Sequence, residues 1–138
     1  MIIDKVRDFM RQCPYLNGDR RVNVDFLPDK VFEYTIDAVP TNTTVKTYAD
    51  GGKVKQFTFV FASKEHYGPE VLVNIENNGF YQNVADWIED KSNRYELPNL
   101  SKDKEPMFME VLDSGYLFHA DENRARYQMQ IRLVYYQN

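Results

Sequence analysis

The stretch YQMQIRLVY, residues 127–135, has the most regular pattern in the sequence. Apolar side chains stand at every second position, and the positions between them are mostly polar. Because successive side chains of a β-strand point to opposite faces, this alternation predicts a strand. One face, which includes Ile131 and Leu133, is expected to be buried, and the other is expected to meet water or a polar partner.

Further strand-like segments lie on the N-terminal side of this stretch. Alternating or β-branched patterns predict strands at residues 22–25, 32–38, 107–112 and 116–120. A tight turn is predicted at Asp113-Ser114-Gly115, between the last two of these strands, and another at residues 121–124, after them. Short turns between consecutive strands are typical of an antiparallel sheet.

Residues 43–62 predict a β-hairpin. Asp50-Gly51-Gly52 supplies residues that tolerate positive φ at its turn. The return strand is predicted at Val54–Ala62, with one face formed by Phe57, Phe59 and Phe61. Its other face is also apolar, so this strand is expected to lie centrally in the sheet or beneath a second layer.

Two segments have the periodicity of a helix. Apolar residues recur at helical spacing over residues 2–13, and Pro14 is expected to end that helix. Asn77-Asn78-Gly79 predicts a turn or cap, which would separate a short helix at residues 71–75 from a second main helix. The apolar face of that second helix consists of Phe80, Val84, Trp87 and Ile88, and Trp87 is expected to pack on the sheet.

Together these elements predict a single α+β domain over residues 1–138. We expect a mainly antiparallel β-sheet with two principal helices packed on one face. Residues 91–106, which are polar, predict a long connection between the second helix and the last strands. The structural core is predicted to include Phe57, Phe59, Phe61, Phe80, Trp87, Ile131 and Leu133.

The composition narrows the classes of function. The net charge is −4, with 17 basic and 21 acidic residues, which argues against a domain built to neutralise phosphates. The one cysteine, Cys13, cannot form an intramolecular disulfide and fits a reducing compartment. The first ten residues do not resemble a signal peptide, and no apolar run is long enough for a membrane span. We therefore expect a protein without membrane contact that stays in the cytoplasm until it is assembled.

The side chains that carry chemistry in other proteins have simpler explanations here. His66 follows Glu65, which permits an acid–base role, but a surface or structural role is favoured for both His66 and His119. Cys13 falls on an apolar helix face and predicts a small buried residue. The acidic residues Asp86, Glu89 and Asp90 predict a solvated helix face more than a divalent-cation site. No catalytic residue, metal ligand or cofactor is expected.

The basic residues do not form a stripe for nucleic acid. Arg20 and Arg21 lie far along the chain from Lys53 and Lys55. We expect the two lysines to guard the end of a strand against unwanted pairing. No Lys-Ser or Lys-Thr follows Asp50-Gly51-Gly52, so a phosphate-binding loop is not predicted there.

Part of the sequence resembles the small proteins of tailed phages and prophages of Gram-positive bacteria that are described as minor capsid proteins. The similarity covers roughly residues 30–136 and is most specific at residues 77–89. It rests on the segments YADGGK (48–53), QFTF (56–59), SKEHY (63–67), NIENNGFY (74–81) and ADWIE (85–89). These relatives look like tail terminator, or tail completion, proteins.

The resemblance implies a non-enzymatic virion protein, present in the host cytoplasm during assembly. Its subunits would form a ring, commonly a hexamer, that caps the tail tube and docks onto the neck or head-completion protein. DNA would pass through the lumen without specific binding. Ring contacts in such proteins involve sheet edges and loops, which points here to an interface formed by Tyr48, Asp50, Gly51, Gly52, Lys53 and Lys55.

Two classes of function remain open at this point. The first is a structural assembly protein, either a tail terminator or another head–tail connector such as a stopper or neck subunit. The second is a small enzyme or ligand-binding domain. A deep pocket that holds His66 or His119 beside carboxylates would favour the second class, whereas a filled core without such a pocket would argue against it.

Overall fold

The chain has an α+β fold in the computed structural model, which describes residues 1–18, 20–27, 33–113, 115–120 and 123–138. Within these residues a mostly antiparallel sheet of seven strands is combined with two helices, as predicted. The elements in chain order are α1 (Ile2–Met10), β1 (Arg21–Val24), β2 (Glu33–Ala38), β3 (Thr44–Thr47), β4 (Lys53–His66), α2 (Val71–Asn93), β5 (Lys104–Val111), β6 (Tyr116–Ala120) and β7 (Arg124–Gln137).

The strands β4 and β7, of 14 residues each, form the centre of the sheet. They pair antiparallel without interruption from Lys53 opposite Gln137 to His66 opposite Arg124. The outer edge of β4 pairs with β3 near Lys53 and with β2 further along, and β1 adds to β2 in parallel. The outer edge of β7 pairs with β5 and then with β6. Every other strand in the sheet therefore depends, directly or through β2, on this central pair.

Both faces of β4 are buried, which confirms its predicted central position. Phe59 and Phe61 are fully buried on the face that the helices cover. Val60 and Ala62 are also buried on the opposite face, outside the cluster that the helices share with the sheet. Phe57, predicted as core, is only partly buried and packs at the margin of the core.

The helices cover one face of the sheet and share one cluster of buried residues with it. Trp87 of α2 packs against Phe9 of α1, with 4.9 Å between ring centroids, so this side chain joins the two helices as well as the sheet. Ile131 and Leu133 are fully buried beneath them, as predicted. Phe80 is half-buried and stacks on Tyr34, with 5.9 Å between ring centroids.

The predicted break at Asn77-Asn78-Gly79 is wrong, because α2 continues through it from Val71 to Asn93. The asparagine amides find partners without breaking the helix. Asn77 donates to the carbonyl of His66 at 3.0 Å, and Asn78 donates to the carbonyl of Asn74 at 2.8 Å. Gly79 costs a helix about 1 kcal/mol relative to alanine, which packing elsewhere along α2 offsets.

Several predicted boundaries also differ from the structure. The helix α1 ends at Met10, before Pro14 can act on it, and the polar connection after α2 is shorter than residues 91–106. Lys53 and Lys55 do not guard a free strand edge, since both have partners on β3 and on β7. Of the predicted strand and turn residues, Phe32, Ser114 and residues 121–122 lie outside the described part of the chain.

We expect Trp87→Ala to lower the free energy of unfolding by about 3–5 kcal/mol, because it removes a large aromatic from the contact between both helices and the sheet. Urea unfolding followed by circular dichroism measures the loss. Asn83→Ala, at an exposed position of the same helix, is the control and should change stability by less than about 0.5 kcal/mol. A loss below about 1 kcal/mol for Trp87→Ala would contradict its place in the core.

Candidate functional site

The predicted hairpin turn is present between β3 and β4. The Tyr48 amide donates to the Gly52 carbonyl at 2.8 Å, and the Gly51 amide donates back to the Tyr48 carbonyl at 3.0 Å. Gly51 has φ of +92°, a conformation that side chains other than glycine rarely adopt. The Asp50 carboxylate accepts a hydrogen bond from the Gly52 amide at 3.0 Å, which fixes the turn.

The six predicted interface residues differ in their accessibility. Tyr48, Asp50, Gly51 and Lys53 are exposed, and Lys55 is half-buried. Gly52 is buried, and a Cβ atom at this position would lie 1.9 Å from the Tyr136 hydroxyl oxygen. Gly52 thus serves packing within the chain, and the use of the hairpin as an interface stays a prediction.

A groove of about 700 Å³ lies next to this hairpin. Its wall combines apolar and aromatic side chains with the polar residues Ser92, Asn93 and Glu105. We call it the aromatic groove after Tyr48, Tyr95, Phe108 and Tyr136. The volume is within the range of roughly 300–1,000 Å³ that proteins use to bind ligands. Of these wall residues only Tyr48 was predicted from the sequence, because the others come from four separate segments of the chain.

The groove begins on the sheet face opposite the helices and ends at the C-terminus of α2. Tyr136 lies opposite Val54 and Glu105 in the strand register, and Tyr48 packs on Tyr136 with 6.2 Å between ring centroids. The register of β5 against β7 shifts between Pro106 and Phe108, and Met107 at this irregularity is exposed. A shift of this kind re-aims side chains, often next to functional sites.

Tyr95 occupies a strained position at the edge of the groove. Its φ is +57°, and the surrounding hydrogen bonds, Tyr95 to Ser92 at 3.1 Å and Glu96 to Lys91 at 2.9 Å, form a Schellman motif. Glycine is the usual residue at this position, since a side chain there costs roughly 1–2 kcal/mol. Tyr95 is nevertheless an aromatic residue and is 78% exposed. Strain of this kind at an exposed side chain suggests a use outside the folding of the subunit.

The other end of α2 carries an exposed apolar patch. Val71, Leu72 and Ile75 are 68%, 75% and 58% exposed, and we call them the apolar knob. They lie in the first turns of the helix, where Asn74 fixes the preceding loop by donating to the Gly68 carbonyl at 2.9 Å. A contiguous exposed apolar patch is typical of an interaction site. The sequence pattern assigned residues 71–75 to a separate short helix. It gave no sign that their apolar side chains are exposed.

His66 lines a second cavity, of about 450 Å³, together with Tyr67, Glu70 and Asn123. A histidine beside a carboxylate is the arrangement that an enzymatic or ligand-binding function would need. The described residues of its wall include no serine, threonine, cysteine or lysine. His119 is exposed on β6 and does not line this cavity.

The remaining candidate residues lie where the sequence suggested. Cys13 is buried, and burial raises the pKa of its thiol, which disfavours the reactive thiolate. Asp86, Glu89 and Asp90 are exposed on α2, and Asp90 pairs with Arg94 at 3.3 Å. Among the described residues, no group of three or more His, Cys, Asp or Glu side chains is arranged to hold a metal ion.

A buried polar network beneath α2 was missed by the sequence analysis. The Tyr81 hydroxyl is bonded to the Ser63 hydroxyl at 2.6 Å and donates to the Tyr127 carbonyl at 3.0 Å. Nearby, Arg20 and Glu65 form a two-bond ion pair at 2.7 and 3.2 Å with little exposure. The signal for Tyr81 was its spacing of three, four and seven residues from Val84, Ala85 and Ile88, which places it on the buried side of α2.

Searches with family models and among curated proteins gave no match to this chain. In the described ranges, no helix combines the length and apolar character needed to cross a membrane.

We expect Tyr81→Phe to lower the free energy of unfolding by about 1–3 kcal/mol, because it removes a hydroxyl that satisfies two buried groups. Burial raises the pKa of Tyr81 far above its usual value. The unfolded chain ionises its tyrosines near pH 10 while folded Tyr81 stays neutral, so the wild type should lose stability as the pH rises above about 10.

The matching measurement is urea unfolding between pH 7 and pH 11 for the wild type and Tyr81→Phe. The variant should lose less stability over this range than the wild type. Tyr15→Phe, at a half-exposed position, is the control and should follow the wild-type pH dependence. Identical slopes for the wild type and Tyr81→Phe would contradict the burial of a neutral Tyr81.

Proposed function

We propose that this protein is a structural subunit of a tailed phage or prophage, a tail terminator that assembles into a ring. The ring, with six subunits as the expected number, caps the tail tube and joins it to the neck or head-completion protein. The phage role rests on the sequence resemblance over residues 30–136, and the observation that supports a ring is a pair of unlike exposed surfaces, the aromatic groove and the apolar knob, at opposite ends of one subunit. Two unlike surfaces on each subunit are what a head-to-tail ring needs.

The rest of the subunit is compatible with such a mechanical role. The uninterrupted β4–β7 ladder and the 23-residue helix α2 give a stiff body that holds both surfaces at a fixed separation. The net charge of −4 favours a lumen that repels passing DNA rather than one that binds it. The proposal requires no cofactor and no catalytic residue.

A stopper or neck subunit is a close alternative, since those proteins also use stiff subunits with two unlike contacts. The order of neighbouring genes separates these roles, because genes for the tail tube and tape-measure proteins beside this one favour a terminator. The second class, a small enzyme or ligand-binding domain, is favoured only by the cavity that holds His66 and Glu70. On our proposal, His66→Ala leaves assembly unchanged.

We expect the purified protein to form a closed oligomer, with a hexamer of the 16.3 kDa chain as the leading stoichiometry. Light scattering coupled to size-exclusion chromatography over a wide concentration range measures the mass, and negative-stain microscopy identifies rings. A chain that stays monomeric at every concentration, and that also fails to bind the ends of purified tail tubes, would contradict the proposal.

A further inference from the structure

We infer that Asn17 is a site of spontaneous deamidation, a modification that the fold permits at this asparagine and blocks at a second one. The sequence contains two Asn-Gly pairs, Asn17-Gly18 and Asn78-Gly79. A glycine after asparagine leaves the main-chain nitrogen unhindered, and asparagine deamidates by ring closure onto this nitrogen. Both pairs are exposed, so access to water does not distinguish them, and the local backbone structure decides. The inference does not depend on the proposed function.

The reaction needs water as its only co-reactant. The Gly18 main-chain nitrogen loses its proton and attacks the side-chain carbonyl carbon Cγ of Asn17. A bond forms between that nitrogen and Cγ, the bond from Cγ to Nδ2 breaks, and Nδ2 leaves as ammonia with the proton. The product is a succinimide ring. Addition of a water molecule opens the ring at either carbonyl and leaves an aspartate at position 17, joined to Gly18 through its main-chain carbonyl or through its side-chain carbonyl.

The main chain around Gly18 is open to this reaction. Asn17 and Gly18 lie in a turn between α1 and β1. The Arg20 amide donates to the Asn17 carbonyl at 3.0 Å, and the Asn17 amide donates to the Tyr34 hydroxyl at 3.1 Å. Within the described part of the chain, no group accepts a hydrogen bond from the Gly18 amide. A Cβ atom at Gly18 would meet no other atom within 4 Å, so water and base reach the attacking nitrogen.

The helix α2 blocks the same reaction at Asn78. As a helical residue, Gly79 donates its amide to the carbonyl four residues earlier. The Asn78 side-chain amide donates to the Asn74 carbonyl at 2.8 Å, which directs it toward the preceding turn of the helix. Tyr81 and Val84 are buried just beyond this point and hold the helix on the sheet. Ring closure at Asn78 therefore requires local opening of α2.

Conversion at Asn17 changes how the turn is attached to the sheet. Asn17 and Arg20 line a cavity of about 220 Å³ together with Tyr34 and Glu65, and deamidation adds a negative charge to its wall. In the product that is joined through the side-chain carbonyl, the carbonyl that accepts the Arg20 amide is no longer part of the main chain. The turn that places Arg20 against Glu65, where they form two hydrogen bonds at 2.7 and 3.2 Å, is thereby altered.

The test compares the two asparagines in the purified full-length chain, kept folded in mildly alkaline buffer. Samples taken over time are digested at acidic pH, which prevents further deamidation, and tandem mass spectrometry measures the converted fraction at each position. Asn17 should convert about tenfold or more faster than Asn78, because opening of α2 must precede the reaction at Asn78. The two products at Asn17 have the same mass and should elute as separate peaks.

Two controls relate the difference to the structure. Gly18→Ala adds a methyl group beside the attacking nitrogen, at a position with open space and without a left-handed backbone. This variant should fold as the wild type does and convert Asn17 several-fold more slowly. Unfolding the wild type in urea removes the helix, so Asn17 and Asn78 should then convert at similar rates.

The effect of the modification on the turn has its own measurement. The deamidated fraction carries an additional negative charge, so anion-exchange chromatography separates it from the parent protein. Its thermal unfolding should occur at a lower temperature than that of the parent, because the Arg20 turn is altered. A Gly18→Ala sample incubated in parallel should keep its unfolding temperature.

The outcomes decide the inference in both directions. An Asn17 that converts faster than Asn78 in the folded chain, and loses this advantage in urea, supports it. Equal rates in the folded chain, or an Asn17 that converts only in urea, would show that the turn does not permit the reaction and would overturn it. A deamidated fraction that unfolds with the parent would overturn the effect on the Arg20 turn.

Discussion

The pairing of β4 with β7 is the constraint on which the rest of the structure depends. Both strands are 14 residues long and pair along their whole length, and the other strands attach to their outer edges. Phe59 and Ile131 stand opposite each other in this ladder and form the floor on which both helices pack. The ladder therefore fixes the distance between the two ends of the subunit as well as the position of the core.

The helix α2 packs on this face of the sheet and gives the subunit two unlike ends. Its middle is held by Tyr81 and Trp87, through hydrogen bonds to the sheet and a ring contact with Phe9. Large side chains are exposed near both of its ends, Leu72 in the first turn and Tyr95 just after the last. A buried centre with apolar termini is an unusual distribution for a helix that serves only folding, and it fits a subunit that completes its packing with neighbours.

The periodicity of the sequence predicted the fold class because β4 and β7 carry long strand patterns, and residues 80–88 of α2 carry helical spacing. It failed where tertiary contacts override local signals. Asparagine is common in turns, and Asn77 was therefore predicted to lie in one. Its side-chain amide instead donates to the His66 carbonyl, and the helix continues. The groove could not be predicted from the sequence for a different reason. Tyr95, Phe108 and Tyr136 are distant in sequence and come together only through strand register and the end of a helix.

The register of the central ladder also has a consequence for how the protein is made. His66 pairs with Arg124 and Lys53 with Gln137, so each bond of the ladder joins residues that are far apart in the chain. Contacts of this kind close large loops and form slowly. Until β7 has left the ribosome, β4 is a strand with two apolar faces and no central partner, which is a state prone to aggregation.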